Sequence, residues 1–173
     1  MKRMVKIGNF NTGLKNNICD VDGVLVDHVT IIDGENKTGL TAILPHSGNM
    51  FKEKVVAGFN ISCVGDDRTY SYIESRYGNT LADKVAKNIL SFHYPEYKVY
   101  SYLKRGSDER QYNAPGVDLP VCAICRSKYG EYPEYHTSAD DLSVISVEGL
   151  QGAFDVYKKC LIALENNYNY KIT

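Results

Sequence analysis

The chain has no excess of charge of one sign: 20 basic side chains stand against 21 acidic ones in 173 residues, a formal net charge of -1 with a pI near 6.4. Without a broad cationic face there is no electrostatic footprint for a phosphate backbone, which excludes nucleic acid as the expected partner. Also lacking is any apolar run approaching the roughly 18 to 20 residues that a membrane-spanning helix needs. Met1-Lys2-Arg3 leads into Met4-Val5-Lys6 and not into an apolar signal core. The expectation is a cytoplasmic protein with no membrane contact. Cysteines are few and odd in number: Cys19, Cys63, Cys122, Cys125 and Cys160. That excludes a disulfide framework and predicts free, mostly buried thiols. No internal repeat or low-complexity tract is visible.

What is present is ordinary globular composition, 43% hydrophobic and 24% charged, at a length where a core burying about 70% of the unfolded surface is within reach. Residues 24–45 alternate apolar and polar positions, break at Asp33-Gly34-Glu35-Asn36 and resume over Thr38 to Leu44. This pattern predicts a β-hairpin, and Pro45-His46-Ser47-Gly48-Asn49 has the chemistry of a loop. A further strand is predicted over 55–64, where Phe59, Ile61 and Cys63 alternate with Asn60 and Ser62 before Gly65-Asp66-Asp67. Asn79-Thr80 precede a helix from Leu81 to Leu90, with Asp83 near its positive end, Leu81, Val85 and Ile89 stacked four apart, and His93 at its close.

Lys98 to Leu103 reads as a short Tyr-rich strand, and the continuous apolar run Leu119 to Cys125 as a strand covered on both faces. From Ser146 to about Glu165, Val147, Leu150, Phe154, Tyr157, Leu161 and Leu164 fall at spacings of three and four, a strong helix signal. The implied class is α/β: a layered sheet with a parallel centre and flanking helices over 58–173, preceded by a β-hairpin-rich N-terminal segment over 1–57.

Three motifs invite chemistry. Asp20-Val21-Asp22-Gly23-Val24-Leu25-Val26-Asp27 resembles the nucleophile motif of haloacid-dehalogenase-type phosphatases. There Asp20 would attack phosphorus and Asp22 would handle the proton. The polar residues before Asp20 do not suit the buried strand such a nucleophile needs, so this reading is an alternative only. Cys122-x-x-Cys125 lies on a predicted strand, where residues three apart point to opposite faces, so two buried thiols are expected and not a zinc or redox pair. Asp66 and Asp67 follow a strand's carboxyl end, where ligand acids are placed in such folds, and Asp66 is a metal candidate.

Two resemblances divide the chain. Asp20-Val21, Gly23-Val24, His28-Val29-Thr30, Thr38 to Pro45 and Gly48-Asn49, within residues 18–57, resemble the start of the L-aminopeptidase/D-esterase family of self-cleaving serine hydrolases. Asp22 and Asp27 depart from that pattern, and the stretch would be scaffold without chemistry. From residue 58 to about 165, Cys63-Val64-Gly65-Asp66-Asp67, Gly78-Asn79-Thr80-Leu81-Ala82-Asp83, Gly106-Ser107-Asp108-Glu109-Arg110-Gln111-Tyr112, Pro115-Gly116 and Tyr129 to Asp140 resemble the carboxyl half of the aminopeptidase-like domain of zinc exopeptidases, relatives of leucyl aminopeptidase and glutaminyl cyclase. This resemblance implies that His136 is a zinc ligand, with Asp140 able to fix its tautomer. It also implies that Asp108, Arg110, Tyr112 and Tyr135 line a pocket for a peptide amino terminus.

A catalytic zinc takes three protein ligands and an open position, and the residues that would complete it do not occur in the matching stretch. The expected function is therefore an incomplete or fused zinc-aminopeptidase-like hydrolase domain acting on peptide N-termini, inactive alone, with zinc as its cofactor. The alternative from another class is a non-catalytic structural or interaction domain. An uncovered sheet edge and apolar face would favour a homo-oligomer.

Overall fold

The structure, a computed structural model, describes residues 14, 18–34, 36–44 and 55–167. They fall into two compact units, divided between Lys54 and Val55. The loop expected over 45–49 lies outside the described residues.

In the first unit, a 3-10 turn at Ile18–Asp20 leads into β1 (Leu25–Asp33), which pairs antiparallel with β2 (Asn36–Leu44) in register from Leu25 opposite Leu44 to Asp33 opposite Asn36. The predicted hairpin is therefore present. A phosphatase nucleophile would need Asp20 at the end of a buried strand, whereas Asp20 ends the 3-10 turn that precedes β1. The resemblance of that motif is one of residue order only.

The second unit is built on a four-stranded sheet in the order β3 (Gly58–Ile61), β6 (Val121–Cys125), β4 (Ser71–Ile73), β5 (Lys98–Tyr100). The α/β class stands, but the expected parallel centre is a mixed one. β3 runs parallel to β6 and β4 parallel to β5, while β4 meets β6 antiparallel, Ser71 opposite Cys125. The cause lies in the connections. Only nine residues, 62–70, join β3 to β4, fewer than a parallel crossover requires. Between β4 and β5 the chain has room for α1 (Leu81–His93), and those strands are parallel. β4 itself is three residues long, too short to show a period in sequence.

β6 is buried along its whole length, as its apolar run predicts. Cys122 and Ile124 face a core made with Tyr72, with Val85, Ile89 and Leu90 of α1, and with Val156 and Cys160 of α3 (Val147–Glu165). Ala123 and Cys125 face the opposite way and pack with Ile73 and Tyr129. The two thiols of Cys122-x-x-Cys125 thus lie on opposite faces, and burial pushes both well above the ordinary cysteine range. Both long helices cover the first face. The second is covered by irregular chain.

In α3 the packing face differs from the expected one. Tyr157 and Leu164 of the expected stripe pack against the core, but Val147, Leu150, Phe154 and Leu161 are exposed, and the buried positions are Gly149, Ala153, Val156 and Cys160. Large apolar side chains supply the period, but the close approach is made by small ones. A methyl group at Gly149 would lie 2.5 Å from the Asp66 carbonyl oxygen, so the backbone of α3 can approach the 65–66 turn only without a side chain there. Ser146 caps this helix, its hydroxyl accepting from the Gly149 N–H at 2.9 Å.

Thr80 caps α1 through a reciprocal box with Asp83. Asp83 is fully buried, and its carboxylate also accepts from the Tyr72 hydroxyl (2.6 Å), the Ser75 N–H (2.9 Å) and the Ser75 hydroxyl (2.5 Å). Burial alone would raise its pKa, but the hydrogen bonds from Ser75, Tyr72 and Thr80 outweigh burial and hold it below the usual carboxylate range. A depressed folded-state pKa contributes stability that is present at neutral pH and lost as the pH falls through that value. Asp83→Ala strands the Tyr72, Ser75 and Thr80 donors and is expected to cost roughly 3 kcal/mol or more in urea unfolding at pH 7. The gap between wild type and variant should narrow toward acid, and a gap constant with pH would contradict this assignment.

Candidate active site

The parallel pair β3 and β6 delivers two loops, 62–67 and 126–129, to the same edge of the sheet, where open α/β sheets place their ligands. The loops are pinned to each other. The Arg126 N–H donates to the Cys63 carbonyl at 2.8 Å. Asp66, 6% exposed, accepts from the Ser127 N–H (2.8 Å), the Ser127 hydroxyl (2.8 Å) and the Arg68 N–H (3.0 Å). Next to it the Ser146 N–H donates to the Gly65 carbonyl at 3.0 Å, seating the start of α3.

A third loop crosses the second face of the sheet and carries the short helix α2 (Glu109–Tyr112). Its anchor is Glu109, which has no solvent exposure. One carboxylate oxygen accepts from the Gly106 N–H (2.8 Å), the Ser107 N–H (3.1 Å) and the Tyr129 hydroxyl, and the other from the Asn60 amide (2.9 Å). Burial would raise its pKa, but the Tyr129 hydroxyl and the backbone N–H groups together hold it below the ordinary range. The Tyr129 phenol is pushed up, first by burial and then by that same carboxylate. Asn113, also buried, donates to the Glu109 and Val121 carbonyls, both at 3.0 Å, and so fastens the far end of α2 to β6.

The segment after Tyr129 adds a row of rings. Tyr132 meets Tyr135 edge-on at 5.5 Å, and Tyr135 stacks on His136 at 4.0 Å with 14° between the planes. The Tyr132 hydroxyl reaches Asp140 at 3.4 Å and the Cys63 sulfur at 3.8 Å. A cavity of about 280 Å³ opens here, bordered by Cys63, Gly65, Asp66, Tyr132, Asp140 and Ile145. Burial, then Cys63 and Asp140, raise the Tyr135 phenol, while Arg110 acts in the opposite sense, so Tyr135 lies within electrostatic reach of α2.

The residues singled out from sequence are distributed unevenly around this site. Tyr135 and His136 are in direct contact, His136 being exposed at a positive φ of 58°. Asp108, just before α2, and Arg110 within it are exposed, the Arg110 Nε donating to the Ser107 carbonyl at 3.3 Å. Tyr112 is 40% exposed at the helix's end, and its carbonyl accepts from the Leu119 N–H at 2.8 Å. Asp66 sits beneath the cavity with both carboxylate oxygens engaged. Among the described residues no three His, Cys, Asp or Glu side chains converge as a metal site. Glu109 and Tyr129 stand in the stretches that resemble zinc exopeptidases, but neither they nor Asn60 has a site role legible in the sequence. The signal for Glu109 in the sequence is its place between Asp108 and Arg110.

Residues 37–167 match the family described as a domain of unknown function (DUF4910). A Clostridium acetobutylicum protein named for polysaccharide biosynthesis and an aminopeptidase-like domain is 36% identical over 118 residues, 68% of this chain and 27% of that protein. A crystal structure from the same organism, described as a peptidase, superposes with a TM-score of 0.62 at 36% identity, covering 65% of this chain and 26% of that one. The LapA aminopeptidase of Legionella pneumophila superposes with a TM-score of 0.47 at 21% identity, over 64% of this chain and 30% of that one. The chain spans about a quarter of the length of the Clostridium relatives.

Glu109→Gln replaces an acceptor with a group half donor, turning an amide toward N–H groups and a hydroxyl that need a lone pair. It is expected to destabilise the unit by roughly 2 kcal/mol. Protection of the Gly106 and Ser107 amides in hydrogen-exchange NMR should fall more than that of the β6 amides. Equal loss at both would mean that Glu109 is not the anchor of this loop.

Proposed function

The chain belongs to the DUF4910 family, and from that premise we propose that residues 55–167 are part of an aminopeptidase-like hydrolase domain acting on peptide N-termini. The observation that carries this reading is the 36% identity over 118 residues to a protein named for such a domain. The geometry supports it in kind. A cavity lies at the carboxyl ends of two parallel strands, and α2 holds Asp108, Arg110 and Tyr112 at the surface on a base fastened by Glu109. In this reading those three residues and Tyr135 receive the peptide, with Asp108 meeting the terminal ammonium and the rings bordering the first side chain.

Zinc enters as part of the same proposal, and the donor set limits it. His136 is exposed and stacked on Tyr135, Asp66 already holds three hydrogen bonds, and among the described residues no three His, Cys, Asp or Glu side chains converge. The described residues do not by themselves fit a zinc site, so no catalytic step is assigned through the metal. A zinc ion held here would take His136 as its ligand from this unit, with its other ligands supplied from elsewhere. The β1–β2 ribbon is scaffold in this reading, as the resemblance of residues 18–57 to the L-aminopeptidase/D-esterase family implies.

The test is turnover of aminoacyl-p-nitroanilides by the purified protein with added Zn²⁺. His136→Ala, an exposed position, should leave the circular dichroism spectrum unchanged and lower the rate by roughly 100-fold or more. No turnover together with no zinc retained after dialysis would replace this reading with a non-catalytic interaction domain.

A further inference from the structure

Arg126 is 6% exposed, yet among the described residues no carboxylate forms an ion pair with it, although Asp155 of α3 lies close enough to act, as Arg126 does, on the Tyr70 phenol. The ion pairs among the described residues are Arg68 with Glu134 and Arg76 with Asp118, and the Arg126 Nε is enclosed without a hydrogen-bond partner. One face of its guanidinium lies over the Tyr70 ring, 3.8 Å from the centroid, and Tyr70 lies 4.1 Å from Tyr94. α3 leaves room for this arrangement. A methyl group at Gly152 would overlap the Tyr70 hydroxyl and come within 2.7 Å of the Arg126 Nη1. The aromatic face offsets part of the desolvation of the cation, but a guanidinium withdrawn from water is fully compensated only by an anion at its N–H edge.

A cavity of about 370 Å³ opens beside it, within the range of small-molecule sites. Arg126 and the half-buried Tyr70, Tyr94 and Tyr97 line its inner part, while Asp67 and Glu96 are exposed at its rim. Arg68 also borders it but is committed to Glu134 through two hydrogen bonds of 2.8 and 2.9 Å. The three tyrosines pack on the helix-covered face of the sheet, whereas Tyr129 and Tyr135 pack on the other. This cavity is therefore separate from the candidate active site.

We infer that Arg126 and the tyrosines around it form a second binding site, for a small ligand that carries an oxyanion on a flat ring. The guanidinium edge takes the carboxylate or phosphate, and the ring lies against Tyr94 and Tyr97. The rim acids are solvated and weaken such binding without preventing it. This inference does not rest on the peptidase reading and survives its failure.

Titration of the full chain with phenyl phosphate, benzoate and neutral phenol, followed by the Arg126 Nε–H resonance in ¹H–¹⁵N NMR, tests it. Saturable shifts with one or both anions and none with phenol are expected, and the stronger of the two identifies the oxyanion. Arg126→Gln should weaken binding roughly tenfold or more. Glu96→Lys, at an exposed position that should not disturb folding, should tighten binding roughly twofold to fivefold. No saturable shift, equal response to phenol, or affinity unchanged in Glu96→Lys would overturn the assignment.

Discussion

A carboxylate taken out of water needs hydrogen-bond donors around it, and the α/β unit is assembled around three that have them. Asp83 joins the cap of α1 to β4 and the turn behind it. Asp66 joins the loop after β3 to the loop after β6. Glu109 joins the α2 loop to β3 and to Tyr129. Asp66 and Glu109 link segments far apart in sequence, 61 residues to Ser127 and 49 to Asn60, where no regular secondary structure holds them. The sheet is only four short strands wide, and these polar joints carry the order beyond its edges.

The joints also decide what the candidate site presents to solvent. Glu109 is turned inward and saturated while its neighbours Asp108 and Arg110 are exposed, so adjacent residues divide between anchoring the loop and facing solvent. The ring row Tyr132, Tyr135, His136 is fixed similarly, since Tyr135 packs against the second core face while His136 lies flat upon it. A site built this way offers side chains from a base held by hydrogen bonds on several sides, which favours defined geometry over induced rearrangement.

Much of the fold was legible in sequence because it is written in period and punctuation. The hairpin alternation, the Thr80 and Ser146 caps and the unbroken run through Cys125 all mark elements that exist. The opposite orientations of Cys122 and Cys125 followed from strand geometry alone. β4 was not legible, since three residues carry no period, and with it went the antiparallel junction at the sheet's centre. The candidate site was legible only at its surface. Burial of Arg126, Ser127, Lys128 and Tyr129 continues the interior four residues past the end of β6, and no hydropathy rule places two cations inside. Glu109 was obscured for the same reason: a charged residue in a polar loop reads as solvated until its donors, drawn from residues 60 to 129, are brought together by folding.

The inverted packing of α3 has a consequence for how this helix accepts change. Its bulky positions, Val147, Leu150, Phe154 and Leu161, face outward, while Gly149, Gly152 and Ala153 sit where added atoms would strike backbone, Tyr70 or core. At these positions tolerance to replacement therefore runs opposite to size, while Val156, Tyr157, Cys160 and Leu164 remain bound to the core. Homologous chains can exchange those outward-facing residues for polar ones at little expense to the fold, yet the helix's glycines have almost nowhere to go.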